Sequence, residues 1–120
     1  METKVIETNS YLNRLSKILH KGQCEDELRE EIKKIISANP LKGDLIVGTG
    51  GLRKIRYPIP GKGKSGGCRV IYYFYNEKHP IYLLTVYPKN KIEDLNPQER
   101  RALTKLVQEL KNIYSKTDRN

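Results

Sequence analysis

Between Gly48 and Lys91 the chain reads GTGGLRKIRYPIPGKGKSGGCRVIYYFYNEKHPIYLLTVYPKNK, and almost all of its net charge lies there. Leu52–Tyr57 has the pattern of a basic strand, Arg69–Tyr75 is a near-continuous β-branched and aromatic run, and Ile81–Tyr87 reads as a third strand. Pro58 and Pro60 close the first of these, and Asn76–Pro80 forms a turn between the other two, so a meander of antiparallel hairpins is the economical arrangement. Nine Lys/Arg (Arg53, Lys54, Arg56, Lys62, Lys64, Arg69, Lys78, Lys89 and Lys91) face one acid, Glu77, which gives +8. Residues 1–47 carry eight charges of each sign, and residues 92–120 carry six basic against five acidic, so one three-strand unit holds nearly all of the formal +9. A field concentrated in this way suits a polyanion, and nucleic acid is the first candidate. Charge alone does not distinguish holding that partner from cutting it.

Within the first strand, alternation puts Lys54 and Arg56 on one face and Arg53, Ile55 and Tyr57 on the other. The loop Gly61–Gly67 alternates glycine with lysine, which lets backbone N–H groups, Lys62 and Lys64 approach phosphates. Gly61-x-Gly63-x-x-Gly66 matches a dinucleotide fingerprint on paper, but a strand follows it and no βαβ unit surrounds it. Gly63-Lys64-Ser65 imitates the end of a P-loop whose required first glycine falls on Pro58. A kinase is excluded by length and by the absence of its other motifs.

The remaining segments read as helical cover. Lys4–Glu7 suggests a short first strand. Tyr11, Leu12, Leu15, Ile18 and Leu19 fall on one helical face, and Gly22 ends that helix. A second helix begins near Cys24 with Glu25, Asp26 and Glu27 in its first turn, buries Leu28, Ile32, Ile35 and Ile36, and stops at Asn39-Pro40. The two form an antiparallel hairpin. Asn96-Pro97-Gln98-Glu99 supplies an N-cap, a Pro at N1 and a capping-box Glu for a last helix, lined by Leu103, Leu106, Val107 and Leu110. Fraying is expected from about Lys116. Residues 1–120 are expected to form a single domain.

Conventional nucleophiles and metal ligands are poorly supplied. Cys24 and Cys68 lack C-x-x-C spacing and are expected to be reduced thiols, Cys68 as a buried small residue. His20 and His79 have no ligand-spaced neighbours and read as surface residues, so no metal and no cofactor are expected. No segment approaches the ~18 apolar residues of a membrane span, and the reduced thiols suit a cytosolic, cytoplasmic protein. Any RNA cleavage therefore falls to lysine and arginine. A lysine crowded by cations is better able to exchange a proton near neutral pH. A solvated basic sheet face explains Lys54, Arg56 and Arg69 equally well on these grounds.

Taken in order, GTGGLRKIR, GKGKSGG, RVIYYFY, YLLTVY and PKN resemble the HigB-type toxins of the RelE/ParE superfamily, over about Gly43 to Leu110. The resemblance implies an α+β RelE-like fold, with an N-terminal helical hairpin packed on a twisted antiparallel β-sheet and a C-terminal helix. It implies a type II toxin–antitoxin toxin, neutralised by a cognate antitoxin (a small helix-turn-helix protein), that cleaves mRNA on the ribosome without a metal. Carried onto this chain, it makes Lys54, Arg56, Arg69 and Lys89 the catalytic set. Arg53, Lys62, Lys64 and Lys91 become contacts to RNA or ribosome. Arg56 and Arg69 would clamp the scissile phosphate, and Lys54 would serve proton transfer during attack by the ribose 2′-OH. The chain departs from the pattern at Pro88, Ser65 and Leu95, where relatives carry glycine, a basic residue and an aromatic residue. A ParE-like gyrase inhibitor and a non-catalytic RNA-binding module are the alternatives.

Overall fold

The structure, a computed structural model, describes residues 3–19, 25–59, 67–89 and 95–119. Its elements are β1 (Val5–Glu7), α1 (Asn9–Ile18), α2 (Glu25–Ala38), β2 (Asp44–Leu45), β3 (Leu52–Tyr57), β4 (Cys68–Tyr73), β5 (Ile81–Pro88) and α3 (Pro97–Asp118). The five strands form one sheet in the order β1-β5-β4-β3-β2. The expected α+β plan is present, with one correction to the sheet. β2 through β5 pair antiparallel, whereas β1 runs parallel to β5 with Val5 opposite Ile81. Thr8 fixes that arrangement. Its hydroxyl donates to Leu83 O at 2.8 Å while accepting from Tyr11 N at the start of α1, so one residue ends β1, ties it to β5 and caps the helix.

Period-two alternation divides the sheet into two faces, each with its own core. Tyr11 and Leu15 of α1 and Leu28, Ile32 and Ile36 of α2 pack on Val70 and Tyr72 of β4 and on Ile81, Leu83 and Val86 of β5. On the other face Val107, Leu103 and Leu110 of α3 pack on Leu52, Ile71, Tyr73, Leu84 and Tyr87. β4 lies between these layers, which is why its sequence is apolar almost throughout. Tyr11, Leu15, Ile32, Ile36 and Tyr72 are fully or almost fully buried, as is Cys68, in keeping with its expected role.

The helix ends differ in detail from the sequence expectations. α1 stops at Ile18 with Leu19 extended beyond it, short of Gly22. At α3 the capping box forms as expected, with Asn96 Oδ1 accepting from Glu99 N at 2.8 Å and Pro97 in the first turn. Leu106 lies at the edge of the apolar face and is exposed. α3 stays helical through Asp118 rather than fraying from Lys116, because Asp118 accepts from Asn76 Nδ2 at 2.9 Å and pairs with His79 Nε2 at 2.8 Å. His79 is stacked on Tyr114, ring centroids 3.9 Å apart, so it is a packed residue and not a surface one. Among the described residues no helix is long and apolar enough to cross a membrane, and no group of side chains is arranged to hold a metal ion.

Candidate functional site

The α3-facing side of the sheet changes character along its length. Leu52 pairs with Tyr73, then Lys54 with Ile71, then Arg56 with Arg69. Leu52, Ile71 and Tyr73 are buried, Lys54 and Arg69 are half-buried, and Arg56 is exposed. The apolar end therefore lies in the core and the basic end opens outward. Arg69 also stands opposite Tyr87 of β5, so Arg56, Arg69 and Tyr87 form one cross-strand row. Residues directly opposite in an antiparallel pair have Cβ atoms about 4.5–5.5 Å apart, and like charges there repel. Two arginines in that relation suit an anion between them.

An open depression of about 440 Å³ lies over this end, lined by Lys42, Asp44, Lys54, Ile55, Arg56 and Arg69. Three of the four expected catalytic residues thus meet at one cavity. Lys89 stands at the same end of the sheet, its N–H donating to Gly67 O at 2.9 Å, but it is not part of that lining. Lys62, Lys64 and Lys91 lie outside the described residues, as does most of the glycine–lysine loop.

Arg53 does not join the site. It points from the opposite face of β3, where its Nη1 donates to Gly43 O at 2.7 Å and to Leu41 O at 3.2 Å. These bonds tie it to the chain between Leu41 and Gly43. Tyr72 acts beside it: Gly43 N donates to its hydroxyl at 2.9 Å, and that hydroxyl donates to Pro40 O at 2.7 Å. Burial raises the Tyr72 pKa, so the phenol stays protonated and able to donate.

Together these bonds hold the Pro40–Gly43 connection against the sheet and set the start of β2. Lys42 and Asp44 reach the cavity by that route, and sequence reading missed both. β2 is only two residues long and carries no periodic signal. Its cue was the Lys42-Gly43-Asp44 triplet just upstream of the basic strand. Gly43 is required there, because a Cβ would come within 2.6 Å of the Tyr72 hydroxyl and 2.9 Å of Lys54 O. The following hairpin closes through Thr49 Oγ1, which donates to Ile46 O at 2.7 Å and accepts from Leu52 N at 3.1 Å. Gly48 and Gly50 supply the left-handed backbone of that turn, at φ +80° and +83°.

The same plan is found in the free-state structure of a mutant of the E. coli toxin RelE, with a TM-score of 0.51 at 17% identity over 72% of this chain and 82% of that one. That likeness defines the fold class. The family follows from the sequence match: a model of the RelE toxin of the RelE / RelB toxin-antitoxin system fits residues 9–118. The chain belongs to the RelE toxin family, whose members are paired with an antitoxin.

Proposed function

We propose that this chain is a HigB-type toxin, a ribosome-dependent mRNA endoribonuclease that halts translation and is held inactive by its cognate antitoxin, a small helix-turn-helix protein. The observation that carries this reading is the Arg56–Arg69 pair opposite each other at the cavity, with Lys54 one pleat away. The two guanidiniums offer planar forks to a phosphodiester, and their hold strengthens as negative charge builds on the non-bridging oxygens during displacement. Lys54 serves proton transfer, and attack by the ribose 2′-OH yields a 2′,3′-cyclic phosphate without a metal. Lys89, Lys62, Lys64 and Lys91 extend the basic surface along the RNA or ribosome. No aromatic side chain lines the cavity among the described residues, so little is present to stack on a base and read sequence. Placement of the message therefore falls to the ribosome, which fits a cytoplasmic toxin.

The test is growth arrest on induced expression. Arg69→Ala is expected to abolish it in a protein that still folds, since losing one such donor costs on the order of 10²–10³ in rate. Full toxicity of a folded, well-expressed Arg69→Ala protein refutes the assignment. Arrest without transcript cleavage, accompanied by loss of gyrase supercoiling, selects a ParE-like inhibitor instead.

A further inference from the structure

Among the described residues Asp44 is the only carboxylate in the lining of the cavity. It sits on β2 directly opposite Lys54, and its side chain is exposed to the opening. From β3 it faces Lys54 and Arg56, from β4 Arg69, and from its own connection Lys42. An acid at this place weakens anion binding. A residue that costs affinity for phosphate yet lines a basic cavity calls for a chemical role.

We infer that Asp44 is the general base of this site, taking the proton from the ribose 2′-OH while Lys54 gives one to the leaving oxygen. The inference rests on the ribonuclease reading above and divides its proton transfers between two side chains. The Asp44 carboxylate accepts the 2′-OH proton, and the freed electron pair on O2′ forms a bond to phosphorus. The P–O5′ bond breaks, and its electron pair on O5′ takes a proton from the Lys54 ammonium. The products are a 2′,3′-cyclic phosphate and a 5′-OH, with Asp44 protonated and Lys54 neutral. Transfer of one proton from Asp44 to Lys54, directly or through water, restores the starting state. No metal, oxidant or second substrate enters.

The geometry suits that division. Asp44 and Lys54 are neighbours across the β2–β3 ladder, and Arg56 lies two residues further along, about 7 Å away on the same face. In-line displacement sets O2′ and O5′ on opposite sides of phosphorus, so Asp44 and Lys54 would serve the two ends of a phosphate held by Arg56 and Arg69. Placement is set from the far side of the sheet by Arg53 and Tyr72, which makes those two positioning residues for Asp44.

The experiment is single-turnover cleavage of ribosome-bound mRNA by the whole protein, comparing wild type with Asp44→Asn, Asp44→Ala and Arg69→Ala. Asp44→Asn is expected to slow the bound-state rate by about 10²–10⁴, the usual contribution of a general base. Ribosome binding should be retained, the acid limb of the pH–rate profile should flatten, and added formate should restore part of the rate to Asp44→Ala. Wild-type cleavage with inactive Arg69→Ala and an Asp44→Asn rate within about threefold of wild type overturns the role of Asp44 alone. So does an Asp44→Asn defect confined to binding, or an acid limb that persists unchanged. A folded wild-type protein that leaves ribosome-bound message intact overturns the ribonuclease reading, and the role of Asp44 with it.

Discussion

Removing the Tyr72 hydroxyl deletes one oxygen on the face of the sheet opposite the cavity, yet it should impair both stability and cleavage. In Tyr72→Phe the ring, fully buried in the core, keeps its packing. Two hydrogen bonds are lost: the one accepted from Gly43 N at 2.9 Å and the one donated to Pro40 O at 2.7 Å. Pro40 is half-buried and its carbonyl can turn to water, so that loss is small. Gly43 is buried, and its N–H is left without a partner at a desolvation cost of about 1–3 kcal/mol. A net loss of about 2 kcal/mol corresponds to a melting temperature lower by about 8 °C in a domain of this size. Urea unfolding should show a lower midpoint with an unchanged m value, since the surface exposed on unfolding is the same. Cleavage of ribosome-bound mRNA should fall about tenfold or more, because Asp44 follows Gly43 and a displacement near 1 Å is costly in a positioned site. A Tyr72→Phe protein that melts within about 2 °C of wild type refutes the claim that this hydroxyl holds the connection.

Arg53→Met should lower stability and cleavage in the same direction by releasing Leu41 O and Gly43 O, while the salt dependence of ribosome binding stays that of wild type; a shallower salt slope would return Arg53 to the RNA surface. Glu7 joins β1 to α2 through Arg29, with bonds of 2.9 and 3.0 Å, and the Arg29 hydrogen bonds hold its carboxyl below the ordinary 4.5. A carboxylate depressed in the folded state stabilises above its unfolded pKa, and that contribution is lost as pH falls through the folded value. Arg29→Met is therefore expected to cost about 1.5 kcal/mol at neutral pH, with the difference from wild type shrinking once pH drops below about 4. Chemical denaturation at both pH values checks this.

Alternation along Leu52–Tyr57 was enough to place Lys54 and Arg56 together and to set Arg53 apart from them, because side-chain direction in a strand is local. Charge counting, which grouped Arg53 with the other cations, gave no sign of its bonds to Leu41 O and Gly43 O. The opposition of Arg56 to Arg69 depends on the register of two strands, and the parallel pairing of β1 depends on a partner some 75 residues away; neither has a local cue. Lys42 and Asp44 fell in a stretch of balanced charge, on a strand too short to show a period. His79 looked like a turn residue because its partners, Tyr114 and Asp118, come from the far end of α3. The capping box at Asn96 was legible because all of its parts lie within four residues.

The central claim is that the Arg56–Arg69 pair cleaves mRNA held on the ribosome, and end mapping of a translated message tests it most directly. Purified toxin, ribosomes and transcript are incubated together, with parallel reactions lacking ribosomes or using Arg69→Ala, and the new 3′ ends are identified chemically. The account predicts 2′,3′-cyclic phosphate ends with wild-type toxin on ribosome-bound message, and none with Arg69→Ala or on naked transcript. Equal cutting of naked transcript contradicts ribosome dependence, and an intact message in the presence of folded wild-type toxin contradicts the claim itself.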